Sequence, residues 1–186
     1  MEVYKPTVEV LVEGELSPFE HEALYQLLKK TFSVEHPSYV ELSDENLATR
    51  VNIVFHHPYT SELFNSVLQE NWRDLKEILR QVRHRRGRAG AAFNLAFVNG
   101  NCRLVFSSGR LEQNAMSSAI EQVGYLTGIV QQMMRPDTMK ETLGLIECSF
   151  DPKTDRWHEF RGFSLSNEKK IYAFDDSTLQ WTPLSE

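Results

Sequence analysis

Cysteine is scarce in this chain. Two residues in 186, Cys102 and Cys148, are too few for a disulfide scaffold and too isolated for a metal site. Each sits inside an apolar run, so both are expected as reduced, buried, space-filling thiols. Nine glycines and seven prolines exclude a collagen-like or low-complexity chain. No uncharged apolar stretch approaches the roughly 20 residues that span a bilayer, so no membrane partner is expected. The opening MEVYKPTVEV has no basic segment followed by an apolar one. No secretory signal is therefore expected, and the cytoplasm is the expected compartment. Phosphate-binding glycine patterns of the G-x-x-x-x-G-K-[ST] or G-x-G-x-x-G type are missing. So are the H-x3-H and H-E-x-x-H spacings of metal sites, and no metal or cofactor is expected.

The composition that remains is that of an ordinary globular chain, 41% hydrophobic and 25% charged. A chain of this length buries enough surface to fold without a staple. A single α+β domain over residues 1–186 is expected, with a strand-rich C-terminal subdomain possible over 142–186.

Local patterns place the elements. Val8, Val10 and Val12 alternate with Glu9, Leu11 and Glu13, the period of a half-buried strand. Ser17-Pro18-Phe19-Glu20 then opens a helix to about Phe32: Ser17 caps, Pro18 fits the first turn, and Glu20 reaches back to the Ser17 amide. His36-Pro37 breaks the chain, and Ser43 caps a short turn to Thr49. VNIVF (Val51 to Phe55) reads as a strand. From Thr60 to Arg86 the apolar positions fit one long helix, ended by Gly87 and Gly90. Ala91–Val98 and Cys102–Ser107 flank Asn99-Gly100, which predicts a hairpin with a type I′ turn. A third helix is expected from Arg110 to about Met134. Gly124 and Gly128 lie on one side of it and suggest close approach by another backbone, within the chain or across a homodimer seam.

The C-terminal part carries one repeat, F-D-x-x-T-x-x-W, at Phe150–Trp157 and again at Phe174–Trp181. Two copies this close cannot close a propeller. They read instead as two hairpin turns, with the Asp bonding amides ahead of it. A four-stranded antiparallel meander from Leu143 to about Thr182 follows. Taken together, the order predicts a mostly antiparallel sheet with about three helices packed on it.

Charge is uneven. Net charge is −6, yet residues 73–110 hold nine basic and two acidic side chains. Arg73, Lys76, Arg80, Arg83 and His84 are expected to form a solvent-facing ridge opposite the apolar stripe. Arg85, Arg86 and Arg88 cluster where the helix ends. Part of this is explained by the helix dipole and by nearby Glu77 and Asp74. Arg83, Arg85, Arg86 and Arg88 have no acid close in sequence, and guanidinium suits phosphate and carboxylate. The leading expectation is therefore a non-enzymatic binding or adaptor protein. It would dock an anionic partner through Arg80, Arg83, Arg85, Arg86 and Arg88. The partner would be an acidic protein surface, a phosphorylated ligand or, less in keeping with the acidic remainder, nucleic acid.

Two alternatives stand beside it. Ser107, Ser108 and Arg110 lie between a strand and a helix and could hold an anion. With His56 and His57 at a strand end they could form the site of a small hydrolase or transferase. Adjacent strand histidines point to opposite faces, which makes them poor joint metal ligands. Glu147 and Glu159 would be nuclease candidates, but the E-x-K spacing is missing after Glu147. The third possibility is a structural subunit of a homo-oligomer, using the Gly124/Gly128 face.

Overall fold

The computed structural model describes residues 4–35, 38–43 and 47–184. The expected break at His36-Pro37 and most of the turn after Ser43 lie outside the described residues. The first strand, β1 (Thr7–Gly14), leads into α1 (Pro18–Thr31), then two short strands, β2 (Ser33–Val34) and β3 (Ser38–Val40). β4 (Thr49–Phe55) precedes α2 (Glu70–Arg86) and β5 (Ala91–Asn99). β6 (Cys102–Ser107) is followed by α3 (Gln113–Val123) and α4 (Thr127–Met133). β7 (Leu143–Asp151), β8 (Arg156–Ser164), β9 (Ile171–Asp175) and β10 (Gln180–Pro183) complete the chain.

All ten strands join one sheet in the order β10-β9-β8-β7-β6-β5-β4-β1-β2, with β3 also on β1. The sheet is mixed rather than mostly antiparallel. β4 pairs with β5 in parallel, and so does β6 with β7. In both cases helices intervene and carry the chain back to the starting end of the first strand, which makes the next strand parallel. β1 and β4 are antiparallel neighbours, as are β5 and β6. The meander from Leu143 forms as the sequence predicts, antiparallel throughout, and it continues the same sheet through β7.

Alternation along the strands sends the bulky side chains to one face. Val51, Ile53 and Phe55 of β4, Phe93, Leu95 and Phe97 of β5, and Leu104 and Phe106 of β6 are all buried there. α1, α2 and α3 close over that face with Leu24, Leu28, Leu75, Leu79, Ile120 and Val123. Both cysteines belong to the same core and are free. Burial pushes the Cys102 thiol up to about 11 and Cys148 higher still, so both stay protonated and inert near neutral pH.

The repeat has a shared physical role. Asp151 accepts from the Lys153 amide and Asp175 from the Ser177 amide, each fixing its turn. In each copy the Phe meets the Trp edge-on. The Trp157 indole then donates to the Ala119 carbonyl of α3, and the Trp181 indole to Met133 of α4, both at 2.9 Å. These tryptophans therefore pin the helical layer to the meander. A bulge at Glu159, which takes φ 57°, shifts the β8 pairing by one residue, so that Trp157 and Phe160 both face the core.

Three local expectations are corrected. The long second helix is interrupted: Leu63–Leu68 is π-helical, and Gln69 takes φ 44° before α2 begins. The third helix stops at Val123, whose carbonyl is taken by the Tyr59 hydroxyl instead of a further helical amide. The β5–β6 turn centres on Gly100-Asn101, because Asn99 still pairs with Cys102. Gly100 has φ 57° and Asn101 is not left-handed, the pattern of a type II′ turn. No helix of the described residues is long and apolar enough to cross a membrane.

Candidate functional site

The end of α2 is where the charge concentrates, and the fold divides its arginines. Leu75, Leu79 and Val82 define the buried stripe of α2. At 3.6 residues per turn, Arg83 lies only about 40° from Leu79 and Arg86 about 20° on its other side. Both therefore point inward, Arg83 contrary to the expected ridge and Arg86 contrary to the expected outward cluster at the helix end. Arg83 is 5% exposed. Its Nε donates to the Leu111 carbonyl at 2.6 Å and one Nη to the Gly87 carbonyl at 3.0 Å. The other Nη lies 3.5 Å from Glu112. Arg83 thus ties the end of α2 to the segment that enters α3.

Arg86 is engaged further. It reaches both carboxylate oxygens of Glu20, at 2.5 and 2.8 Å, and donates to the Thr49 hydroxyl and the Glu15 carbonyl. Glu20 is 3% exposed. The same carboxylate accepts from the Ser17 amide at 2.9 Å, so the capping box read in the sequence is present. Burial alone would raise the Glu20 pKa. Bonds from Arg86 and Ser17 outweigh that and hold it below the usual carboxylate range. An acid 66 positions away in sequence fills the role that local spacing left empty.

The other arginines face outward. Arg80 is half exposed beside Glu77 at 3.4 Å, an exposed pair of small energetic weight. Arg85 lies 3.7 Å from Glu20 and 5.5 Å from the centre of the Phe19 ring, with its side chain 46% exposed. Phe19 itself, at the start of α1, is 67% exposed. The Arg88 side chain is exposed and makes no ion pair among the described residues. Arg110 lies alongside, its Nη donating to the Arg88 carbonyl at 2.6 Å. Within van der Waals range of that guanidinium a Cβ on Gly90 would intrude, 2.9 Å from the Arg110 Nε. The outward set is therefore Arg80, Arg85, Arg88 and Arg110 with one bare aromatic ring. In the sequence Phe19 figures only within the helix-opening Ser17-Pro18-Phe19-Glu20 segment. Its place directly after the N1 proline, off the buried stripe, is the signal that could have marked it.

The Ser107–Arg110 anion site does not assemble. The Ser107 hydroxyl donates to Asn94 on the side of the sheet away from the helices. Ser108 is buried on the opposite side, accepting from the Phe93 amide and donating to the Gly109 carbonyl. Consecutive strand residues diverge, so the two hydroxyls cannot converge on one ligand. The histidines are remote from them. Ser107 is level with Asn94 and Asn52, four residues short of His56 on β4, which is about 13 Å along the strands. His56 faces Glu9 at 3.2 Å, and His57 contacts the Pro58 carbonyl. None of the five best-formed cavities among the described residues is lined by both groups.

Gly124 packs intramolecularly: a Cβ there would stand 3.3 Å from the Trp72 indole nitrogen of α2, while one on Gly128 would meet open space. No group of three or more metal-ligating side chains occurs among the described residues. Neither a protein-family model, nor a curated protein, nor a solved structure matches the chain, and its own geometry carries the functional reading.

Proposed function

We propose that the protein is a non-enzymatic binding module that docks an acidic or phosphorylated protein segment at the outer end of α2, through Arg85, Arg88 and Arg110 around Phe19. One observation carries the reading: an exposed phenylalanine stacked under an exposed arginine, at a helix end where Arg88 and Arg110 are also exposed and in contact with each other. An apolar ring in water next to multidentate cations fits the pattern of protein-binding hot spots, where aromatic and arginine side chains dominate. Arg83 and Arg86 belong to this site only indirectly. By anchoring the helix end they hold the outward arginines in place.

The test uses a labelled oligoglutamate peptide and a phosphoserine peptide, followed by fluorescence anisotropy over a salt series. The triple variant R85A/R88A/R110A, and F19A separately, are expected to weaken capture with an unchanged far-ultraviolet circular dichroism spectrum. The salt dependence should flatten in the triple variant as fewer counterion-screened contacts remain. Equal affinity of native and triple-variant protein for both peptides rejects the reading.

A further inference from the structure

The second face of the sheet carries no helix among the described residues, and its side chains differ from those of the covered face. β5 contributes Ala92, Asn94 and Ala96 there, with Ala92 and Ala96 at 3% and 5% exposure. Longer side chains on the neighbouring strands shade them. Beside Ala96 stand Val54 of β4 and Val105 of β6, aligned by register into an apolar floor. A hydrogen-bonded row borders this floor: Ser107 donates to Asn94, Asn94 to Asn52, and Asn52 to Glu13, at 2.8, 2.8 and 3.0 Å. Two adjoining depressions result. One of about 450 Å³ lies over β1, β4, β5 and β6, and one of about 610 Å³ over β7 and β8 with Leu145 and Phe163. They meet where Arg103 and Val105 pair with Leu145 and Glu147.

The walls are mainly acidic. Glu9 and Glu35 border the first depression, Glu147 and Glu168 the second. The carboxylates of Glu35, Glu147 and Glu168 have no hydrogen bond or ion pair among the described residues. Among the described residues Arg103 is the single cation of the lining, and it stands between the two acidic ends.

We propose that this trough docks a cationic amphipathic helix of a partner protein. Three arguments converge. First, the central pairs β4–β5 and β6–β7 are parallel, and parallel strands are normally covered on both faces. Second, the backbone of these interior strands is already spent in the ladder, so an extended peptide lying on them would find no amide partners. A helix satisfies its own backbone, and the alanine floor admits it closely. Third, unpaired carboxylates flanking an apolar floor complement lysines or arginines flanking an apolar stripe. From β1 to β8 the trough spans about 24 Å, five strand spacings, which matches about 16 residues of helix. This site is separate from the arginine cluster and has the opposite charge, so either proposal can fail alone.

The experiment titrates the full chain with a labelled lysine–leucine peptide patterned as an amphipathic helix, and with a scrambled peptide of identical composition. The patterned peptide is expected to bind more tightly and to gain helicity on binding. E147K/E168K should weaken it by about tenfold or more, since exposed interface charges are reversed rather than removed. A96R, which fills the floor, should abolish it. E147K/E168K alters only exposed side chains, so it keeps the test decisive should A96R fail to fold. Equal binding of the two peptides overturns the proposal, as does native-like affinity in E147K/E168K. Self-association of the native chain that A96R prevents would assign the trough to a second copy and likewise overturn it.

Discussion

Two sets of arginines sit between positions 80 and 88, where α2 ends, and they do opposite things. Arg83 is buried and Arg86 largely so, and they hold three segments together: α1 through Glu20, the start of β4 through Thr49, and the entry to α3 through Leu111. Arg80, Arg85 and Arg88 face water. Residue type and local sequence are the same for both sets. What separates them is helical phase, because positions 83 and 86 fall on the stripe begun by Trp72, Leu75 and Leu79. A guanidinium on that stripe is tolerated only because every element it faces supplies an acceptor. The clustering of like charge that suggested a wholly external patch is, for two of its five members, an internal joint.

Breaking the joint gives the largest expected effect. R86A leaves the Glu20 carboxylate buried without its main partner, which should cost about 3–5 kcal/mol in urea unfolding. The double variant E20L/R86L removes both charges and is expected to recover most of that loss, since apolar replacement of a buried pair is often neutral. If R86A unfolds at the native urea midpoint, the internal role is refuted. R83A comes next. It removes charged donors from the Leu111 and Gly87 carbonyls and should cost about 1.5–3 kcal/mol, read from the same curves.

The pH dependence sharpens the contrast. Glu20 has a lowered pKa in the folded protein, so the unfolded chain binds its proton first on acidification. Its contribution is full above the ordinary glutamate value, about 4.3, and is lost as pH falls through the lowered folded value. In R86A, burial of Glu20 acts with far less opposition and favours the protonated form, which reverses the sign for that group. The stability gap between native protein and R86A should therefore narrow as pH drops from 6 to 3 in a series of unfolding curves. A gap that widens over that range would refute the assignment.

Much of this was legible beforehand. The Ser17–Glu20 capping box, the two Asp-turn hairpins and the antiparallel meander all rest on contacts within a few residues, and local pattern specifies them. Parallel pairing of β4 with β5 was not legible, because strand order depends on how a helix crosses the sheet. The break at Gly124 comes with a tertiary contact, Tyr59 with Val123, that no local pattern announces. Of the site, the inward phase of Arg83 and Arg86 was available from the 3.6-residue period alone. Their acceptors were not, since Glu20 and Leu111 reach them across 66 and 28 positions of sequence. The divergence of Ser107 and Ser108 likewise follows from strand alternation once Ser107 is known to lie within β6.

The smallest expected effect lies on the outward set, and its smallness is the sharper test of the division. Arg85 shares Glu20 only at 3.7 Å and is half exposed, and Arg88 has no ion pair among the described residues. Exposed substitutions away from caps and buried networks usually shift stability within about ±0.5 kcal/mol. R85A/R88A/R110A should therefore unfold within that margin of the native protein, with the Arg110 contact to the Arg88 carbonyl as its main structural loss. A loss as large as that of R83A would mean that the outer arginines are also structural. The helix end would then have no side chains to spare for a partner, whereas unchanged stability with lost peptide capture separates the two sets cleanly.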